Sequence, residues 1–183
     1  MTFTPTTIAG AYIVGLVPRS DERGWFLRTF DQQLFAAIGH ERPFVQMNHT
    51  LTRLCGALRG LHFQYPPYAE SKLVRCIRGC VYDVIVDIRR GSPTFLHWFG
   101  LELSPDNHCA MYLPQGCAHG FQALVNDCEM FYCHTAEYNP AHESGLRYDD
   151  PRIGIRWPQL VTDISIRDQH HAIIDDNFVG VQV

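Results

Sequence analysis

CVYDVIVDIRR, residues 80–90, alternates throughout its length. Val81, Asp83, Ile85 and Asp87 fall on one side of an extended chain, and Tyr82, Val84, Val86 and Ile88 on the other. Two apolar faces, one carrying two acids, describe a strand covered on both sides whose inner face lines a cavity. RGSPT (90–94) reads as a turn. Outward from it, FLHWFGLELS (95–104), HCAMYLP (108–114), HGFQALV (119–125) and CEMFYCHTAEY (128–138) repeat the pattern of short strands broken by turns such as SPDN (104–107). Strands at this spacing form a sandwich or barrel, and a jelly roll suits the length. The expectation is an all-β fold, one domain over residues 1–183. DQQLFAAIG (31–39) is the one helix expected, with Asp31 as its cap, Gly39 at its end, and Leu34, Phe35 and Ile38 on one face. The tail from Gly145 on is turn-rich and is expected to pack on the barrel.

The totals narrow the function classes. A chain of 183 residues that is 46% hydrophobic and 19% charged can bury a real core. A net charge of -4 with mixed signs gives no case for nucleic acid, and no apolar run approaches a membrane span. MTFTPTTIAG lacks the basic start and apolar stretch of a signal peptide, so a cytoplasmic location is expected. The seven cysteines are odd in number and include no CxxC pair, which fits free thiols acting as small core hydrophobes. Neither GxGxxG nor a P-loop motif is present. All the basic residues are arginine except Lys72. A lone lysine among arginines is either a leftover surface residue or a site that needs a compact ammonium.

LRGLHFQ (58–64) sets Arg59 and His62 into an apolar run, and PQGCAH (114–119) follows with His119. The second stretch resembles the Pro-x-Gly-x-x-His motif of metal-binding cupin barrels. The first resembles their His-x-His motif, but with Gln64 at the second histidine and Glu70 one residue late. A ligand set of His62, Gln64, Glu70 and His119 is poor for the metals of such sites. A metal-dependent cupin enzyme therefore stands as an alternative behind a barrel that kept the cavity without the metal.

RGLHFQ, KLVRCIRGCVYDVIVDIRRGSPT, PQGCAHGFQAL, EMFYCHTAEY, ESGLRYDDPRIGIRWP and ISIRD, in this order and spacing, resemble the dTDP-4-dehydrorhamnose 3,5-epimerase family over residues 21–157 and 165–168. The resemblance implies a cupin-type jelly-roll barrel that works as a homodimer, with no cofactor and no metal, on a nucleoside-diphosphate 4-keto-6-deoxy sugar. It implies His62 as the base, Asp168 as its dyad partner, Tyr132 as the acid and Lys72 beside the keto oxygen. Arg23, Gln46, Asn48, Arg59, His119, Glu143 and Arg167 match substrate-binding positions, and Tyr138 matches an aromatic that stacks on the base. Arg28 stands where the family usually has a substrate-contacting glutamate. Met47, the HTLT run, Phe63, Cys133 and Arg167 also depart from the usual pattern. These departures leave open a CDP- or GDP-linked substrate, inversion at one carbon only, or a binder without chemistry. Asp83 reads equally as a site partner or a structural acid. His134, His142, His170 and His171 are expected at the surface.

Overall fold

A computed structural model describes residues 1–183. The chain begins with Thr2–Pro5 (β1), Tyr12–Gly15 (β2) and a small hairpin of Arg19–Asp21 (β3) and Gly24–Phe26 (β4). A short helix, Gln32–Ala36 (α1), follows. The barrel strands are then Gln46–Thr52 (β5), Leu58–Gln64 (β6), Lys72–Arg78 (β7), Val81–Asp87 (β8), Trp98–Leu103 (β9), Cys109–Leu113 (β10), Cys117–Ala123 (β11) and Cys128–His134 (β12). Glu143–Gly145 (β13) and a one-turn helix, Ile166–Gln169 (α2), complete the elements.

The strands make two facing sheets. One has the order β1-β2-β10-β7-β12-β5, the other β13-β6-β11-β8-β9, and every pairing within them is antiparallel. Neighbours in space that are distant in sequence, such as β12 between β7 and β5, give the jelly-roll crossover. Between the sheets lie Val74, Met111 and Met130 from one and Ile85, Leu103 and Phe121 from the other, all at most 2% exposed. Each such side chain contributes roughly 1.5–3 kcal/mol by leaving water.

The alternation of β8 holds on both faces, but its inner face is packed into the core and does not line the cavity. Val81 and Ile85 join the core between the sheets. Val84, Val86 and Ile88 point the other way and pack under Leu146, Ile153, Ile174 and Val181, so the tail covers the outer face of the five-stranded sheet. The helix is shorter than its sequence suggested. Asp31 caps it by accepting from the Gln33 and Leu34 amides, and Phe35 is its buried residue. Leu34, expected on the inner face, is 43% exposed. One turn of helix presents too narrow a stripe to bury all three apolar residues.

Gly60 and Gly120 let two strands come unusually close. A Cβ on Gly60 would stand 2.6 Å from the Gly120 Cα and 2.7 Å from the His119 carbonyl oxygen, at a φ of +114°. The β6–β11 register shifts between His119 and Phe121. Bulges of this kind re-aim neighbouring side chains. Here the neighbours are Arg59, His62 and His119.

Candidate active site

A cavity of about 810 Å³ opens between the two sheets. The five-stranded sheet supplies His62 from β6 and His119 from β11, directly opposite each other in register. The six-stranded sheet supplies Lys72 from β7 and Tyr132 from β12. Basic and acidic groups therefore reach one space from opposite walls.

His62 Nε2 lies 2.8 Å from Asp168 Oδ1. Asp168 sits in α2, which Ser165 caps, and its other oxygen accepts from the Gly60 amide at 3.1 Å. Burial works against its charge, but the His62 hydrogen bond and charge, the Gly60 amide and Ser165 together hold the carboxyl at about 2. Arg167 Nη2 also lies 3.1 Å from His62 Nε2. One nitrogen cannot donate to the carboxylate and accept from the guanidinium together. The shorter, charge-assisted contact assigns the proton to Nε2. Nδ1, which has no protein partner, is left to accept a proton.

Tyr132 is 8% exposed, and its hydroxyl meets Thr50 Oγ1 at 3.3 Å. Burial pushes the phenol upward more than the Thr50 contact lowers it, so it stays protonated at neutral pH. Lys72 Nζ lies 3.1 Å from Glu70 Oε1, with both side chains at most 8% exposed. Gln64 donates to Glu70 Oε2 at 2.8 Å and accepts from the Asn139 amide at 2.6 Å. His119 Nε2 meets Asp83 Oδ1 at 2.7 Å. Asp83 is wholly buried, so it is the partner that orients His119.

This arrangement answers the metal alternative. Gln64 turns its N–H toward Glu70, Glu70 is engaged by Lys72, and His119 is engaged by Asp83. The four residues of that ligand set do not converge as donors.

Six further expected residues, Gln46, Asn48, Arg59, Tyr138, Glu143 and Arg167, line the same cavity toward its mouth. Arg59 donates to Thr52 Oγ1 and the Leu51 carbonyl. Gln46 accepts from the Tyr138 amide, and Asn48 meets His134. Glu143 accepts from Tyr138 Oη at 2.9 Å and from Arg167 Nη1 at 2.6 Å. Tyr138 is 52% exposed, which leaves a ring face open. Arg23 and Arg28 are not brought to this cavity. Arg23 pairs with Asp21 beside the β3–β4 turn, and Arg28 pairs with Asp31.

Two histidines expected at the surface are elsewhere. His171 lies beside the dyad, 3.8 Å from Asp168 Oδ1. His134 lines the cavity, half-buried. No local pattern marks either one, because each is placed by a contact across the fold. Burial, then the Lys72 charge, lowers His134 to about 4. Between pH 6.5 and 4 the unfolded chain thus binds more protons at this residue than the folded one. Its stabilising contribution is complete above about pH 6.5 and is lost as the pH falls toward 4. Urea titrations across this range are expected to show a pH slope that is smaller in His134→Gln.

Comparison with known proteins agrees with this geometry. The family model described as dTDP-4-dehydrorhamnose 3,5-epimerase matches residues 5–176. The dTDP-4-dehydrorhamnose 3,5-epimerase of Methanothermobacter thermautotrophicus is 43% identical over 91% of this chain and 90% of its own. A dTDP-4-dehydrorhamnose 3-epimerase of Streptomyces niveus is 38% identical over 95% of this chain and 84% of its own. The crystal structure of a dTDP-6-deoxy-D-glucose-3,5-epimerase from Legionella pneumophila in complex with dTDP-4-keto-L-rhamnose is 34% identical. It superposes with a TM-score of 0.91 over 100% of this chain and 98% of that one. A two-sheet jelly roll, a cavity walled by both sheets and sequence identity along nearly the whole chain agree: this protein belongs to the dTDP-4-dehydrorhamnose 3,5-epimerase family.

Proposed function

We propose that this chain is a single-domain, cofactor-independent epimerase that inverts C3 and C5 of a dTDP-linked 4-keto-6-deoxy sugar. The observation that carries the reading is the pairing of His62 and Tyr132 across one cavity from opposite sheets. Inversion needs this arrangement, because a proton must leave one face of the ring and return to the other.

The 4-keto group acidifies the C–H bonds at C3 and C5, the two carbons that flank it. His62 Nδ1 takes the proton, and the electron pair moves to O4. Asp168 holds the imidazole in the right tautomer and stabilises the imidazolium. Lys72 and His119 meet the developing charge on O4. A positioned group of this type is worth roughly 3 kcal/mol in the transition state. Tyr132 returns a proton from the far side, which completes inversion. Arg59, Arg167, Glu143 and Tyr138 hold the nucleotide at the mouth, with Gln46 and Asn48 beside them.

Inversion at C3 alone is the second reading, favoured by the similarity to the Streptomyces niveus 3-epimerase. One experiment separates the two. The protein is incubated with dTDP-4-dehydro-6-deoxy-glucose in deuterated water, and H3 and H5 are followed by proton NMR. Loss of both signals is the expected result. Loss of H3 alone would establish the single-centre enzyme. Retention of both with this sugar, but exchange with a CDP- or GDP-linked one, would move the specificity to another nucleotide.

A homodimer fits the surface. β5 is the outer strand of its sheet, and it and the residue before it expose Val45 (53%), Met47 (63%) and Leu51 (39%). An open apolar edge of this kind calls for a cover. Arg23 and Arg28 lie outside the cavity, so a role for them in substrate binding requires a second copy. Sedimentation equilibrium is expected to return twice the chain mass.

A further inference from the structure

The reaction above leaves one metal-capable side chain at the dyad unused. His171 follows α2, and its Nε2 is buried without a hydrogen-bond partner. That nitrogen lies 3.8 Å from Asp168 Oδ1, the same oxygen that His62 Nε2 approaches at 2.8 Å. All three donor atoms fall within 4.8 Å of one another. Ligands around a tetrahedral Zn²⁺ stand about 3.4 Å apart, between these two distances. The ring has room there because β13 carries a glycine: a Cβ on Gly145 would collide with the His171 imidazole.

We propose that His62, Asp168 and His171 form an inhibitory Zn²⁺ site, and that its occupation switches the enzyme off by capturing the base. Two histidines and a carboxylate are the donor set zinc takes when it keeps a fourth position for water. The charge balance permits it. Asp168 and Glu143 share one cation, Arg167, whose guanidinium lies 2.6 Å from Glu143 Oε2, 3.4 Å from Asp168 Oδ1 and 3.1 Å from His62 Nε2. Zn²⁺ must displace this guanidinium from both donor atoms, and its side chain, 53% exposed, has solvent to move into. Binding at Nε2 takes the other neutral tautomer, so the imidazole proton moves from Nε2 to Nδ1 and this ring releases none to solvent. Nδ1, now carrying the proton, has no lone pair with which to take one from the sugar. Asp168, now a ligand, no longer stabilises an imidazolium.

The inhibition rests on His62 being the base, but the site itself is read without substrate. ZnCl₂ is titrated into the full-length protein by calorimetry, in two buffers of different ionisation enthalpy. One Zn²⁺ per chain is expected, with little proton release because the ligands are neutral imidazoles and an ionised carboxylate, and activity is lost in parallel and restored by EDTA. His171→Ala is expected to keep its zinc-free activity and to lose at least about tenfold in both Zn²⁺ affinity and inhibition. Co²⁺ gives a second readout in the same protein. A His/carboxylate site shows weak visible bands without the intense thiolate charge-transfer band. No Zn²⁺ binding, equal inhibition of His171→Ala, or a thiolate band marking the cysteines would each overturn the proposal. If the zinc-free protein proves inactive on every 4-keto sugar, the epimerase reading fails while the calorimetry still decides the site.

Discussion

His62→Ala is expected to lower kcat by about three to four powers of ten at both carbons, the upper part of the range for a positioned base. That is a loss of about 4–5.5 kcal/mol of transition-state stabilisation. Affinity for dTDP is expected to change little, because the nucleotide-holding groups sit at the mouth and His62 acts deeper. A parallel fall in dTDP affinity would make His62 a binding residue instead. Tyr132→Phe tests the other wall. The base and its Asp168 partner stay intact, so H3 and H5 should still wash out in deuterated water. The returning deuteron now comes from the face it left, and the product keeps its configuration. Exchange without inversion is a result that a merely structural tyrosine would not give. Loss of exchange together with inversion would show that Tyr132 also takes part in proton removal.

The two arms of this test also mark what could be read from the chain alone. The alternation around Asp83 and the turns that follow it are local, and they gave the strands from β8 to β12 with their faces. The first strands and the β3–β4 hairpin carry no such run, since their residues are mixed and mostly exposed. His62 stood out as a polar side chain in an apolar run, and Lys72 as the one lysine among arginines. Asp168 did not. It lies 106 residues from His62, in a segment without periodicity, and only likeness to a family pointed to it. The pairing of Glu70 with Lys72 was obscured differently. Two residues apart on an extended chain, they were read as a displaced metal ligand and a lone base, when the fold makes them one buried ion pair. The role of Asp83 likewise needed β11 beside β8, because register across a sheet brings Asp83 to His119 and sequence spacing does not.

The Glu70–Lys72 pair makes the second large prediction, and the two effects within it pull apart. Lys72→Met removes the ammonium proposed to stabilise O4. Loss of one such group costs about two to three powers of ten in kcat. It also strands Glu70, whose side chain is 5% exposed and whose Lys72 contact is 3.1 Å. Breaking a buried pair from one side destabilises by about 3–5 kcal/mol, because the remaining charge has no partner. Lys72→Met alone is therefore expected to be both slow and unstable, and a low rate could be blamed on unfolding. Glu70→Gln combined with Lys72→Met removes both charges and keeps a side chain that can still hydrogen-bond Gln64. Urea titrations should find most of the lost stability restored in this double variant. Its kcat should remain about two to three powers of ten below the parent, since the enolate still lacks its counter-charge. Recovery of the rate together with stability would mean that Lys72 supports the fold and that O4 is stabilised elsewhere, with His119 and its Asp83 partner next in line.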